Sequence, residues 1–213
     1  MLARTLFNAE HEQFRQAVRR FVQKEVVPFY DEWEKEGCVS RELWAKAGAQ
    51  GYLGINLPEA YGGGEAGDFR YSAIVIEELA HANAPGVGFS LHADVAAPYI
   101  TAYGTAEQKE RWLPGIAAGE LILAIAMTEP SAGSDLAAVR TTARREGDDY
   151  ILNGQKTFIT NGLLSDLVIV VAKTDPEAGR KGISLLVVER DMAGFRRGRK
   201  LEKIGLHAQD TAE

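Results

Sequence analysis

The chain has 213 residues, of which 46% are hydrophobic and 25% are charged, and its formal net charge is −6 at pH 7. The acidic balance gives no sign of the basic surface that nucleic-acid binding requires, and no apolar run reaches the roughly 18 residues of a membrane-spanning helix. We therefore predict a soluble globular protein without a nucleic-acid partner or membrane insertion, and the length allows one domain or two.

Cysteine usage and the first residues bear on the compartment. Cys38 is the only cysteine, which excludes an intrachain disulfide and the paired cysteines of a metal or redox site. It lies in a polar stretch before a predicted helix, where we expect a structural role. The N-terminal segment MLARTLFNAEHEQF has neither the apolar core of a signal peptide nor an Arg/Ser-rich presequence of useful length. We predict a cytoplasmic protein with no metal site.

The first part of the chain has helical periodicity. Apolar residues recur at three- and four-residue steps across residues 8–33, which predicts an amphipathic helix that Pro28 kinks or ends. Ser40 is placed to cap a second helix that Gly51 stops, and Asp68 is placed to cap a third.

A fourth helix is predicted from Thr105, because Thr105 and Gln108 have the spacing of a capping box, and Pro114 is expected to close it. Residues 1–118 are thus predicted to form an all-helical domain.

The period changes after Gly119. Short β-rich runs follow, separated by turn-forming residues: LILAIAMTE, YILNG, KTFIT, LVIVVAK and GISLLVVE. No helix of crossover length lies between them, so the sheet is expected to be mainly antiparallel. We predict a β-barrel or β-sandwich domain over residues 119–213, and the fold class is a helical domain followed by this β domain.

Two segments have residues suited to ligand binding. In AIAMTEPSAGSDLAA, residues 124–138, a β run ends at Thr128 and a loop of small residues leads to Ser134 and Asp135, where a turn or short helix would begin. Small residues let backbone N–H groups approach an anion, so this loop is a candidate phosphate site, although most such loops are only connections. In NGQKTFITNG, residues 153–162, Thr160 ends a β run before an Asn-Gly turn. Its hydroxyl would be a fixed hydrogen-bond donor there. Threonine is also simply a residue that favours strands.

Together these segments resemble the acyl-CoA dehydrogenase family. TEPSAGSD at residues 128–135 is similar to the family signature, and KTFITNG at residues 156–162 is similar to its second flavin-contacting strand. The resemblance runs from Phe7 to Glu213 and includes GINLPEAYGGG and GRKLEKIGLHAQDTAE. The segments WEKEG, VSRELW and AQDTAE are most similar to long-chain acyl-CoA dehydrogenases.

The resemblance implies FAD as the cofactor and a set of residues that contact it. This set is Ile125, Ala126, Met127, Thr128, Gly133, Ser134, Phe158, Ile159 and Thr160. Thr128 would bond the pyrimidine end, and Ser134 would lie at the pyrophosphate and close to substrate. Phe158 stands where the family often has Trp, a departure towards the long-chain type. Ser134, Arg180 and Lys181 would bind substrate, the two basic residues near the CoA phosphates, although exposed basic residues in a loop are also ordinary surface.

The implied reaction is α,β-desaturation of a fatty acyl-CoA in β-oxidation. A carboxylate removes the α proton while the β hydrogen leaves as a hydride to flavin N5, and electrons then pass to electron-transfer flavoprotein. The complete protein would be a homotetramer. The family's general base is a Glu in helices that follow the middle domain, and HAQDTAE ends without a cap or terminal strand. We expect a chain truncated before the helical bundle, without a catalytic base and inactive alone, in which Glu129, Glu77 and Glu78 are solvated or structural.

Two other functions are compatible with the sequence. An acyl-CoA oxidase shares the architecture but reoxidises its flavin with oxygen. A non-catalytic binding protein would keep these two domains without the bundle, if Glu213 is the natural end.

Overall fold

The structure is a computed structural model that describes residues 5–213. It divides into two compact units, which are described separately. The helical unit contains the described residues up to Ile122 together with Lys203–Gln209, and the β unit contains Leu123–Glu202 together with Asp210–Glu213. The predicted domain limits, 1–118 and 119–213, stay a prediction.

The helical unit contains six α-helices. They are α1 (Ala9–Glu25), α2 (Val27–Glu36), α3 (Arg41–Ala49), α4 (Phe69–His81), α5 (Ala97–Tyr103) and α6 (Ala106–Ala118), with a 3-10 turn at Glu59–Tyr61 and a π-helical segment at Leu91–Ala96. Among residues 5–213, no helix combines the length and the apolar character needed to cross a membrane.

Local capping chemistry sets the helix starts. The Ser40 and Asp68 side chains accept hydrogen bonds from the first turns of α3 and α4, as predicted. Thr105 and Gln108 form the predicted capping box of α6. The expectation for Pro114 is wrong, because α6 continues past it and ends where Gly119 adopts a φ of 73°. Proline inside a helix removes one backbone hydrogen bond and often kinks or breaks the helix, but α6 continues from Pro114 to Ala118.

The β unit contains seven strands. They are β1 (Leu123–Ala126), β2 (Thr142–Glu146), β3 (Asp149–Asn153), β4 (Ile159–Thr160), β5 (Leu167–Lys173), β6 (Ile183–Glu189) and β7 (Thr211–Ala212). Each predicted β run contains one of these strands, whereas β2 and β7 were missed because TARRE and TA lack an apolar run. The fold class of a helical part followed by a β part is confirmed.

The sheet is mainly antiparallel, as predicted, but it also contains parallel pairing that was not predicted. Strand β5 is antiparallel to β6 but parallel to β1, and it also meets the start of β2 in parallel. The β2–β3 and β4–β7 pairs are antiparallel. The chain returns from β1 to β5 through loops, a short 3-10 helix, the β2–β3 hairpin and β4, so the parallel pairing is made without an α-helical crossover. In residues 5–213 the strands form a five-stranded mixed sheet and a two-stranded ribbon, and not a closed barrel.

Candidate functional site

The first candidate residues lie in and directly after strand β1, which is at the edge of the sheet. All four of its residues are buried, and Ala126 belongs to an apolar cluster that includes Ile159 of β4. The chain then leaves the sheet, and Met127 and Thr128 are half-buried. Ile125 and Ala126 therefore offer a ligand mainly their backbone, whereas Met127 and Thr128 also present side chains.

The loop after β1 turns back on itself. The Glu129 N–H donates to the Ala132 carbonyl at 2.8 Å, and the Ala132 N–H donates to the Glu129 carbonyl at 3.1 Å. Gly133 and Ser134 follow and are exposed. A Cβ built on Gly133 would meet no heavy atom within 4 Å, so there is open space at this point of the loop.

A short helix begins after Ser134, as the sequence predicted. It is the 3-10 helix Leu136–Ala138, and the Asp135 side chain caps it by accepting a hydrogen bond from the Ala137 N–H at 3.1 Å. The cap is thus the Asp135 carboxylate and not the Ser134 hydroxyl, because Asp135 is the residue directly before the first helical turn.

Strand β4, with the second group of candidates, lies between two residues in the left-handed region. Phe158 has a φ of 59° and Asn161 a φ of 60°. Asparagine tolerates this conformation, but for a bulky phenylalanine it is an outlier that costs on the order of 1–3 kcal/mol. The Phe158 side chain is nevertheless 67% exposed. Strain of this kind beside an exposed aromatic ring is typical of ligand-binding positions.

Hydrogen bonds bring the two candidate segments together. The Thr157 N–H donates to the Thr128 carbonyl at 2.9 Å. The Lys156 ammonium donates to the Met127 carbonyl at 2.9 Å, and the Asn161 side-chain amide donates to the Leu123 carbonyl at 3.0 Å. The end of β1 and the start of β4 are therefore neighbours, although about 30 residues separate them in the sequence.

A buried carboxylate lies where these segments meet. Glu129 is 5% exposed and accepts hydrogen bonds from the Arg140 N–H, the Thr141 N–H, the Thr141 hydroxyl and the Lys156 ammonium, at 2.5–3.0 Å. Burial would raise the pKa of Glu129, but these hydrogen bonds lower it to about 2. Burial lowers the pKa of Lys156, and Glu129 counteracts part of that effect. Glu129 is thus an ionised structural group, as expected.

A second buried carboxylate fixes the turn after β4. Asp210 is 1% exposed, and its Oδ2 accepts hydrogen bonds from the N–H groups of Leu163 at 2.6 Å and Leu164 at 3.0 Å. Its carbonyl accepts the Asn161 N–H at 2.9 Å. The end of β4, and with it Thr160, is therefore held by a residue that lies directly before β7.

The two basic candidates lie in the segment between β5 and β6. Arg180 and Lys181 are exposed within the 3-10 segment Pro176–Gly182. Ala132, from the loop after β1, belongs to an apolar cluster against which Ile183 packs, just after this segment. The loop after β1 and the residue that follows the Pro176–Gly182 segment therefore pack against one apolar cluster.

Family models match nearly the whole chain. The model described as acyl-CoA dehydrogenase, N-terminal domain, matches residues 8–120, and that described as acyl-CoA dehydrogenase, middle domain, matches residues 124–213. The chain belongs to the acyl-CoA dehydrogenase family.

Individual relatives show the extent of the match. The chain is 58% identical over 212 residues to the long-chain specific acyl-CoA dehydrogenase, mitochondrial, of Rattus norvegicus, covering 99% of this chain and 49% of that protein. It therefore spans about half the length of the curated relatives it matches. The word mitochondrial in the rat protein's name describes that protein. The cytoplasmic location predicted for this chain stays a prediction.

Solved structures of family members have the same fold. The crystal structure of an acyl-CoA dehydrogenase from Geobacillus kaustophilus matches with a TM-score of 0.95 and 55% identity, over 99% of this chain and 56% of that one. An acyl-CoA dehydrogenase from Bacillus anthracis, described as complexed with FAD, matches with a TM-score of 0.87 and 32% identity, over 99% of this chain and 36% of that one.

Sequence reasoning missed the residues that hold this candidate site in shape. Lys156, Thr141 and Asp210 were not singled out, and Glu129 was expected only to be structural or solvated. A lysine inside the β-rich run KTFIT is one signal, because a charge at the start of a buried strand needs a partner. The partner itself lies 27 residues away and has no signal in a single sequence.

Proposed function

We propose that the full-length protein is an FAD-dependent acyl-CoA dehydrogenase that introduces a double bond between the α and β carbons of a fatty acyl-CoA. The observation that supports this most is the bond between the two candidate flavin segments, from the Thr157 N–H to the Thr128 carbonyl at 2.9 Å. It joins the segment that contains Thr128 to the segment that contains Thr160, and the family resemblance assigns both segments to the flavin.

The residues at this place suit FAD. The exposed Phe158 ring offers a flat apolar surface to a flavin ring, and the half-buried Thr128 and Thr160 offer hydroxyl donors. The exposed loop at Gly133 and Ser134 has open space for a pyrophosphate. Because Lys156 neutralises Glu129, the nearby buried carboxylate does not repel an anionic ligand. We assign the nine cofactor-contacting residues predicted from the sequence to FAD on this basis.

The chain's own residues would then bind and orient rather than react. FAD, when bound, supplies the acceptor for the hydride that leaves the β carbon. The Thr160 hydroxyl would donate a hydrogen bond towards N5, and Thr128 would donate towards the pyrimidine end, where negative charge grows during reduction. Donors that are already positioned where charge develops are worth more to the transition state than to the ground state. Ser134 would bond the pyrophosphate, and Arg180 and Lys181 would meet the CoA phosphates.

Glu129 does not serve as the base that takes the α proton. Its carboxylate is buried and accepts four hydrogen bonds, and its low pKa makes it a poor proton acceptor. We therefore assign proton abstraction to a group outside the described residues of the site. Electron-transfer flavoprotein as the electron acceptor and a homotetrameric assembly are further parts of this proposal, since the family resemblance implies both.

The test is to identify the flavin and the electron acceptor. The full-length protein is purified, denatured, and its released flavin is separated by chromatography; we expect FAD. Turnover with long- and medium-chain acyl-CoAs is then measured with electron-transfer flavoprotein and, separately, with oxygen alone. Release of FMN or of no flavin would refute the proposal. Equal turnover with oxygen alone would identify an acyl-CoA oxidase instead.

A further inference from the structure

Lys156 is a nearly buried cation whose only role in the proposed function is to neutralise Glu129. Its side chain is 10% exposed, and its ammonium group donates to a carboxylate oxygen of Glu129 and to the Met127 carbonyl, both at 2.9 Å. The two acceptors lie on either side of Thr128. The next residue of the chain, Thr157, donates its N–H to the Thr128 carbonyl. Lys156 and Thr157 thus donate hydrogen bonds to the three consecutive residues that follow β1.

A buried ion pair adds little net stability to a fold. Burying two charges removes their hydration, and well-packed apolar residues of the same volume often stabilise a fold as much or more. A buried pair does, however, specify one arrangement of the groups that it joins. Here the groups are the peptides that lead from β1 into the candidate flavin site.

The hydrogen bond from Lys156 to the Met127 carbonyl also polarises a peptide group. The Met127 carbonyl and the Thr128 N–H belong to one peptide group. A cation bonded to the carbonyl oxygen draws electron density towards that oxygen, so the N–H at the other end becomes a stronger donor, as hydrogen bonds in a chain polarise one another. A more strongly polarised Thr128 N–H favours the reduced, more negative state of a flavin beside it.

We propose that Lys156 is a positioning residue of the flavin site, which holds and polarises the Met127–Thr128 peptide against Glu129 and thereby raises the reduction potential of the bound flavin. The inference rests on the proposed function, because it requires FAD at this edge of the sheet. Lys156 acts through the peptide and touches neither the substrate nor the reacting atoms.

Three variants of the full-length protein test this inference. Lys156→Met removes the charge and the donor, Lys156→Gln keeps a donor without the charge, and Lys156→Arg keeps the charge. Thr141→Val is the matched control, because it removes one hydrogen bond from Glu129 and leaves the Lys156 bond to Met127 intact. For each protein the flavin midpoint potential, the Kd for FAD and the melting temperature without FAD are measured.

We expect Lys156→Met to shift the midpoint potential to more negative values and to weaken FAD binding at least tenfold. Lys156→Gln should show the same direction of shift, and it decides the question if the Met variant does not fold. Lys156→Arg, which keeps the charge, should have a flavin midpoint potential close to that of the wild-type protein. Thr141→Val should lower the melting temperature while leaving the potential unchanged.

Two results would overturn the inference while leaving the proposed function intact. One is that Lys156→Gln or Lys156→Met has the same flavin midpoint potential and the same Kd for FAD as the wild-type protein. The other is an equal shift of potential in Thr141→Val, which would show that loosening the cluster, and not the Lys156 charge, changes the flavin. A wild-type protein that binds no FAD would overturn both this inference and the proposed function.

Discussion

Replacing Glu129 with glutamine tests the hydrogen bonds and the ion pair of this buried carboxylate, because the two side chains have nearly the same shape. One carboxylate oxygen accepts the Thr141 N–H, the Thr141 hydroxyl and the Lys156 ammonium, and the other accepts the Arg140 N–H. Whichever way the new amide turns, its NH₂ faces a backbone N–H, so at least one buried donor loses its acceptor. Lys156 also loses its counter-charge.

The expected loss of stability follows from these contacts. Removing one partner of a buried ion pair typically costs about 3–5 kcal/mol. The lowering of the Glu129 pKa from 4.5 to about 2 corresponds to about 3 kcal/mol, at about 1.4 kcal/mol per pKa unit. We therefore expect Glu129→Gln to lower the free energy of unfolding by about 3–5 kcal/mol.

The assay is denaturant unfolding across pH, with Glu146→Gln as the control. Glu146 is exposed on β2, so its substitution should change the free energy by less than about 0.5 kcal/mol. The folded-state pKa of Glu129 lies below its ordinary value, so its stabilisation is fully present above about pH 4.5 and is lost as the pH falls through about 2. Glu129→Gln should lack this part of the acid dependence. A loss under 1 kcal/mol, or an unchanged acid dependence, would refute the reasoning.

Four further predictions concern the site. Thr160→Val should slow flavin reduction roughly ten- to a hundred-fold in rapid-mixing experiments with little change in substrate Kd, because one donor to developing charge is worth about 1–3 kcal/mol; the reverse pattern would contradict the N5 role. Phe158→Asn should raise the free energy of unfolding by about 1 kcal/mol by relieving backbone strain, and should weaken FAD binding in a titration; a destabilised variant would refute the strain argument. Asp210→Ala should cost about 2–4 kcal/mol in denaturant unfolding, because two N–H groups lose their acceptor, and a loss near zero would show that water replaces it. Replacing Arg180 and Lys181 with glutamine should raise KM for acyl-CoA and leave kcat unchanged, whereas an unchanged KM would assign both residues to ordinary surface.

The helix starts could be read from the sequence because capping is local. Ser40, Asp68 and Thr105 each bond to an N–H two or three residues away, so residue type and spacing contain the whole interaction. Pro114 shows the limit of this reasoning. Whether a helix ends depends on the next turn as well, and there Gly119 provides the stop.

The pairing of β1 with β5 could not be read in the same way. Apolar runs identify strands but not their neighbours, and the 40 residues between Ala126, where β1 ends, and Leu167, where β5 begins, allowed either direction of pairing. The site was predictable only in part for the same reason. Motifs identified Thr128, Ser134 and Thr160, whereas the Glu129–Lys156 pair depends on a contact over 27 residues that no local pattern reports.

Anaerobic mixing of the full-length, flavin-loaded protein with a long-chain acyl-CoA tests the central claim most directly. If FAD lies at the edge formed by β1 and β4 and accepts a hydride from the substrate, its absorbance should bleach within the mixing experiment, and the product should be the 2-enoyl-CoA. Bound FAD that stays oxidised with long- and medium-chain acyl-CoAs alike would contradict the account.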